Sequence, residues 1–445
     1  MESRRRGRAA RGIGCAVAAV VLLVACVAGP VRADQVRNAM APVLDALGVP
    51  RAWRLTRGAG VTVAVLDSGV DGAQADLAGS VTQGPDYTEG ANPPGTLPRR
   101  VHGTNMASII AGHGHGPGDA DGVTGVAPEA RLLSVRVILE RDEPGFTVFT
   151  REPRFAGTIA AGIRYAVDHG ADVLNLSLGR SYPTRAEREA VAYALAHGTV
   201  VVAAAGNNGE DTRTPGPSRP ACAPSPVQPH SAARPSGSVR LSGAEEMERS
   251  GCSVRAATKF TYPASFPGVI SVAAVDANGR HAGFSNRNSA VVVSAPGVRI
   301  IGAGPGGQYW VGDGTSPATA FVSGVAALIR ARHPHLAPAL VEQAITTGTQ
   351  HRPKRGYDTG VGFGRVDAYA ALVASDALAG HHGSDFGLPA GRHFAAGSSE
   401  PVMVVHRSTA VVVTTITTAA LAALGMFAAI PILLRRRRET VWPED

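Results

Sequence analysis

The 445-residue chain is 44% apolar, enough for one large core or two ordinary ones, and its 54 glycines and 31 prolines imply many turns. Its net charge of +8 includes arginines gathered at the two ends, Arg4, Arg5, Arg6, Arg8 and Arg11 before one apolar run and Arg435 to Arg438 after another. No basic helix with interleaved aromatics lies between them, which sets nucleic acid aside and points to membrane topology.

Residues 1–33 combine the basic start with an apolar stretch from Ile13 to Ala28 and a closing Val31-Arg32-Ala33, the pattern of a secretory signal cleaved after Ala33. Two rivals stay open, because Leu23-Val24-Ala25-Cys26 resembles a lipoprotein box that would put a lipid on Cys26 and Ser3-Arg4-Arg5 faintly resembles a twin-arginine signal. With the leader removed, two cysteines remain in an exported chain, and a Cys222–Cys252 disulfide is the simplest account. Residues 34–57 are too short for a core of their own. They are expected to lie along the next domain with Trp53 packed.

Gly60 to Val70 is an almost continuous apolar run ending in Asp67-Ser68-Gly69, as a buried parallel strand reads. Asp67 then stands at the strand's carboxyl end, where ligand and catalytic residues collect in open α/β sheets. His102 opens a short helix of small residues running to Gly112. The stretch from Gly112 to Asp121 reads as a flexible loop, and its His113, His115, Asp119 and Asp121 are too loosely spaced by glycines to fix a metal. Further buried strands are expected at 131–137, 171–179 and 199–205, with a loop over 139–154 and helices near 157–169 and 185–197. Strands alternating with helices predict an α/β fold with a parallel sheet.

From Glu210 to Lys259 the composition turns to Pro, Ser and Arg and reads as an irregular insertion. Closing it with a disulfide would stabilise it by about 3–4 kcal/mol in the chain-entropy estimate. Strand character returns at 268–275 and 290–293. Gly302 to Gly307 formally matches a dinucleotide-binding glycine pattern, but no helix opens after it, so a turn is expected. Gly312-Asp313-Gly314-Thr315-Ser316 then leads into small and apolar residues at helical spacing. That places Ser316 at a buried helix's N-terminus, with Pro317 in the first turn and the positive end of the dipole behind the hydroxyl. A helix follows at 338–347, and residues 376–408 read as a linker. Thr409 to Leu434 carries no charge and, as a helix, would run about 39 Å, enough to span a ~30 Å hydrocarbon core. The arginines from 435 onward, in the 435–445 tail, mark its cytoplasmic side.

Taken in the order Asp67, His102, Asn207, Ser316, these residues sit in blocks that resemble the subtilisin-like serine proteases. The blocks are Val-Leu-Asp-Ser-Gly-Val at 65–70, His-Gly-Thr at 102–104, Gly-Val-Ala-Pro at 125–128, Asn-Leu-Ser-Leu-Gly at 175–179, Ala-Ala-Gly-Asn at 204–207 and Gly-Thr-Ser at 314–316. The resemblance covers roughly 58–375 and implies a three-layer fold with a mostly parallel central sheet, to which the 409–434 run adds one C-terminal transmembrane helix. It implies that Ser316 attacks a peptide carbonyl, that His102 moves the proton and that Asp67 orients the imidazole. Asn207 and the Ser316 N–H would bind the oxyanion, while Ser177, Leu178 and Gly179 would pair with extended substrate, Gly179 leaving room for the main specificity side chain.

Signal, short extension, insertion and anchor together are more narrowly similar to the mycosins, the membrane-anchored subtilases of type VII secretion systems in actinobacteria. That likeness implies an extracytoplasmic endopeptidase acting on exported proteins beside a secretion membrane complex. The alternative is a structural component of such a complex with secondary or no proteolytic activity. No cofactor is expected; calcium is common in the superfamily, but no ligand set can be placed here. The chain departs from the family pattern at Pro317, where a methionine is common, and at Ala320, where a proline is.

Overall fold

Strands that are apolar at every position need cover on both faces, and this chain provides it. The computed structural model describes residues 33–209 and 260–379. The leader up to residue 32, the 210–259 insertion with Cys222 and Cys252, and the linker, apolar span and tail from residue 380 onward lie outside the described residues.

The strands are β1 (Thr62–Asp67), β2 (Val81–Asp86), β3 (His113–His115), β4 (Asp121–Thr124), β5 (Arg131–Arg136), β6 (Val173–Leu176), β7 (Val200–Ala204), β8 (Ile270–Val275), β9 (Val291–Pro296), β10 (Ile300–Ala303) and β11 (Tyr309–Gly312). Seven form one sheet in the order β2-β5-β1-β6-β7-β8-β9, and every pairing within it is parallel. Alternate residues serve opposite faces. Val63 and Val65 of β1 join one core, with Val200 and Val202 of β7 and the fully buried Phe321. Ala64 and Leu66 join the other, with Val201, Ala203 and the helix residue Ile163. Helices Val101–Ala111 and Thr315–Arg332 cover the first face, and Thr158–Asp168 and Arg185–Ala196 the second, giving three layers. Among the described residues no helix is long and apolar enough to cross a membrane.

Chain order reverses around β1, which has β5 on one side and β6 on the other. Such a switch point opens a crevice at the carboxyl ends of the strands, where Asp67 ends β1, Ser177 follows β6 and Gly206 and Asn207 follow β7.

Several expectations change. The stretch from Gly112 to Asp121 is a β3–β4 hairpin with an intervening turn, not a flexible loop. Within it His115 Nδ1 lies 2.5 Å from the buried Asp76 carboxylate. β2 and the short helix Phe146–Arg151 also escaped the reading, because neither carries a continuous apolar run: β2 is only partly buried. The glycine run at 302–307 closes a β10–β11 hairpin, as a turn should. The last helix, Ala368–Ala379, runs into the segment expected as linker.

The extension is a structural part of the first core. Helix Ala33–Ala46 buries Val36, Met40 and Leu44, and the Trp53 indole N–H donates to Val126 O at 2.8 Å. Arg37 donates to the Asp121 and Gly122 carbonyls at 2.9 and 3.1 Å, tying the helix to the hairpin. The far end of the described chain closes onto the same segment: Arg51 pairs with Asp367 at 2.9 Å, Arg365 donates to Ala46 O at 3.1 Å, and Ala368 N donates to Leu47 O at 2.8 Å. Met40 is 1% exposed, so Met40→Ala is expected to cost about 2–5 kcal/mol of stability, read from the urea unfolding midpoint. An unchanged midpoint would show the helix to be an appendage.

Candidate active site

Asp67 is fully buried, and a buried carboxylate must find donors. It has two: the Ser68 N–H at 2.7 Å and His102 Nδ1, 2.8 and 2.9 Å from its two oxygens. His102 stands in the first turn of helix Val101–Ala111. That helix can approach the end of β1 because Gly103 has no side chain; a Cβ there would lie 2.2 Å from Gly69 O. The His102 side chain keeps 36% exposure, so the ring is buried on its Asp67 edge and open on the other. Burial alone would lower its pKa, but the Asp67 charge and hydrogen bond, helped by the Glu140 charge, outweigh it and hold the imidazole above its ordinary value of 6.5.

Ser316 occupies the first turn of helix Thr315–Arg332. Buried polar contacts fix that helix against β6: Asn175 Oδ1 accepts from Ser323 Oγ at 2.9 Å, Asn175 Nδ2 donates to Ser177 Oγ at 3.0 Å, and Ser177 Oγ donates to Ser316 O at 3.0 Å. The Ser316 hydroxyl donates to Ser177 O at 3.1 Å rather than to His102. His102, Asn207 and Ser316 nonetheless line one cleft of about 730 Å³, whose wall carries Ile138, Leu139 and Phe146.

Asn207 is oriented by the residue before the serine. Its Oδ1 accepts from both the N–H and the hydroxyl of the fully buried Thr315, each at 2.9 Å, and the same hydroxyl accepts from Gly206 N at 3.2 Å. The Asn207 Nδ2 donates to no group among the described residues and stands near Gly314, 3.5 Å from the place a Cβ would take. This leaves an amide donor beside the serine, with the open end of a helix dipole next to it.

Ser177, Leu178 and Gly179 line both the cleft and a second recess of about 260 Å³ beside Ser316. The space next to Gly179 is taken by Thr261: a Cβ on Gly179 would lie 2.3 Å from its methyl, and one on Gly206 2.4 Å from its hydroxyl. Thr261 thus fills the gap between the two glycine walls. Thr315, Thr261, Asn175 and Glu140 were not singled out as site residues in the sequence. Thr315 and Asn175 were within reach, in the Gly-Thr-Ser and Asn-Leu-Ser-Leu-Gly blocks, but Thr261 and Glu140 act through contacts distant in the chain. Among the described residues no group of three or more His, Cys, Asp or Glu side chains is placed to hold a metal.

The arrangement is a hydroxyl, an imidazole held by a buried carboxylate and an amide donor around one cleft, the parts an acyl transfer needs. Comparison with known proteins agrees. Residues 58–364 match the Subtilase family. The thermophilic serine proteinase of Bacillus sp. (strain AK1) is 34% identical over 72% of this chain and 64% of its own length, so the chain spans a little under two thirds of that relative. Mycosin-1 of Mycobacterium tuberculosis (strain ATCC 25618 / H37Rv) is 35% identical over 74% of this chain and 72% of its own. The solved structure of the MycP3 protease from the type VII (ESX-3) secretion system covers 75% of this chain and 88% of that one, with 33% identity and a TM-score of 0.54.

Because Asp67 stabilises the imidazolium, the His102 titration midpoint is expected above 6.5. Asp67→Asn should move it down, and NMR titration of the imidazole protons checks both. A wild-type midpoint at or below the ordinary value would contradict this electrostatic account.

Proposed function

Given that the chain belongs to the subtilase family, we propose that it is a serine endopeptidase that works outside the cytoplasm, held at the membrane by residues 409–434. The observation that carries the reading is the His102–Asp67 pair sharing a cleft with Ser316 and the Thr315-oriented Asn207. For reaction, the Ser316 hydroxyl turns from Ser177 O toward the open edge of His102, which takes its proton as Oγ attacks a peptide carbonyl. Asn207 Nδ2 and the Ser316 N–H receive the oxyanion, and His102 returns the proton to the leaving amine. Freed of Ser316, the 177–179 backbone pairs with the extended substrate.

Likeness to Mycosin-1 and to the MycP3 protease supports work beside a type VII secretion complex, with exported proteins as substrates. The basic leader, the uncharged 409–434 stretch and the arginines after it support a single C-terminal span with its tail in the cytoplasm. For the segments beyond the described residues, we propose removal of the leader at Ala33 and a Cys222–Cys252 disulfide in the insertion. We propose no cofactor. A second reading, a structural component of that complex, draws on the hydrogen bond that holds Ser316 Oγ on Ser177.

Fluorophosphonate labelling of membranes carrying the full chain tests between them. The parent should label and Ser316→Ala should not; a folded parent that stays unlabelled would give the structural reading the lead.

Thr261, packed between Gly179 and Gly206 in the lining of the recess beside Ser316, is the side chain that would set its depth for the residue on the acyl side of the scissile bond. Thr261→Gly should raise kcat/KM for Phe over Ala at that position by on the order of tenfold, measured on paired peptides. Equal ratios in parent and variant would rule Thr261 out as the floor of the recess.

A further inference from the structure

Helix Val101–Ala111 begins without a side-chain cap of its own: Arg100, at its N-cap, is left-handed at φ 56° and makes no capping hydrogen bond. Its first-turn N–H groups nevertheless need acceptors. They find them on other elements. The His102 N–H donates to Glu140 Oε1 at 2.8 Å, and the Gly103 N–H donates to Ser68 Oγ at 3.1 Å. Ser68 Oγ in turn donates to the same Glu140 oxygen at 2.7 Å. One carboxylate oxygen therefore gathers the turn after β1 and the start of the histidine helix, the two segments that carry Asp67 and His102. Glu140 is well placed for this because Val137 N and Ile138 N donate to Asp67 O at 2.9 and 3.3 Å, which pins the chain just before it against the end of β1.

We propose that Glu140 is a positioning residue for the His102–Asp67 pair, clamping the histidine helix to the β1 turn and adding a second negative charge beside the imidazole. The proposal rests on the peptidase reading for its kinetic consequence but not for its structural one. A carboxylate suits both tasks: it is the favoured charge at a helix N-terminus and it stabilises an imidazolium. The other charges around it are largely engaged. Asp142 pairs with Arg99 at 2.8 Å, and Glu143 pairs with Arg136 at 2.7 Å. Asp67 is held by His102 and the Ser68 N–H. Arg100 on the helix side and Arg141 on the cleft wall are the cations nearest in sequence to the clamp. Neither has an ion pair among the described residues. Burial of the ring lowers the His102 value, and the Asp67 charge and hydrogen bond together with the Glu140 charge raise it past its ordinary value.

The two functions of Glu140 separate by substitution. Glu140→Gln keeps an oxygen acceptor for the His102 N–H and the Ser68 hydroxyl while removing the charge. It should shift the acid limb of kcat/KM to lower pH, since the neutral imidazole is then populated earlier, and lower the plateau kcat less than tenfold. Glu140→Ala removes the acceptor as well. It should lower kcat by tenfold or more with KM little changed, as the imidazole loses its register with Ser316.

A readout without turnover separates failure of this proposal from failure of the peptidase reading. Full-length Ser316→Ala in micelles, with labelled histidines, is titrated by NMR with and without Glu140→Gln. The His102 midpoint should fall in the double variant. A midpoint and acid limb that do not move with Glu140→Gln would overturn the proposal. So would a Glu140→Ala protein that is folded and retains full kcat. If no Ser316-dependent turnover exists in the parent, the titration alone decides for or against Glu140.

Discussion

A fully buried Asp67 carboxylate is the constraint from which the site follows. Left without donors it would be untenable in this interior, so the structure must bring N–H groups to it. The Ser68 N–H comes with the strand end. The second donor, His102 Nδ1, arrives only because a helix is packed unusually close, over Gly103 and the Gly69 carbonyl. The same close packing leaves that helix start in need of acceptors, which Ser68 and Glu140 supply. Burial of one charge thus propagates into a helix position, an imidazole orientation and a second carboxylate.

Much of this was legible in the sequence, and for definite reasons. Continuous apolar runs gave away β1, β5, β6, β7 and β8, because a strand covered on both faces has no polar alternation to hide it. Asp67, His102 and Ser316 could be picked out because each opens or closes a regular element, and Asn207 because its Ala-Ala-Gly-Asn block resembles that of the subtilisin-like proteases. What escaped was either half-exposed or contributed from far along the chain. β2 has glycine, proline and polar residues within it. The hairpin at 113–124 is rich in glycine and depends on Arg37, over eighty positions earlier, to shape its carbonyls. Glu140 reaches Ser68 across 72 positions and Thr261 reaches the walls of the recess from beyond the insertion, and no local pattern encodes either contact.

Residues around Ser316 also divide their work in a way the motif alone did not display. Ser316 carries the hydroxyl, but Thr315 decides where Asn207 points, using its N–H and its hydroxyl together. The Ser177 contacts then bind the serine on both its carbonyl and its hydroxyl. Strand β6 and the Ser177 that follows it therefore anchor the serine helix, and in the proposed function the same segment is the strip on which a peptide would lie.

The closure of the extension onto the last helix has a consequence for how the chain acquires its structure. Arg51 and Asp367 are separated by 316 positions, and Arg365 and Ala46 by 319. Contacts of that separation form only after a long loop has been closed, so they come late and slow the search for the native state. In a chain emerging amino end first, Val36, Met40 and Leu44 are the first residues of this core to appear and among the last to gain all their neighbours. The first helix cannot complete its docking until residues near 367 are in place, and the domain is closed from its two ends.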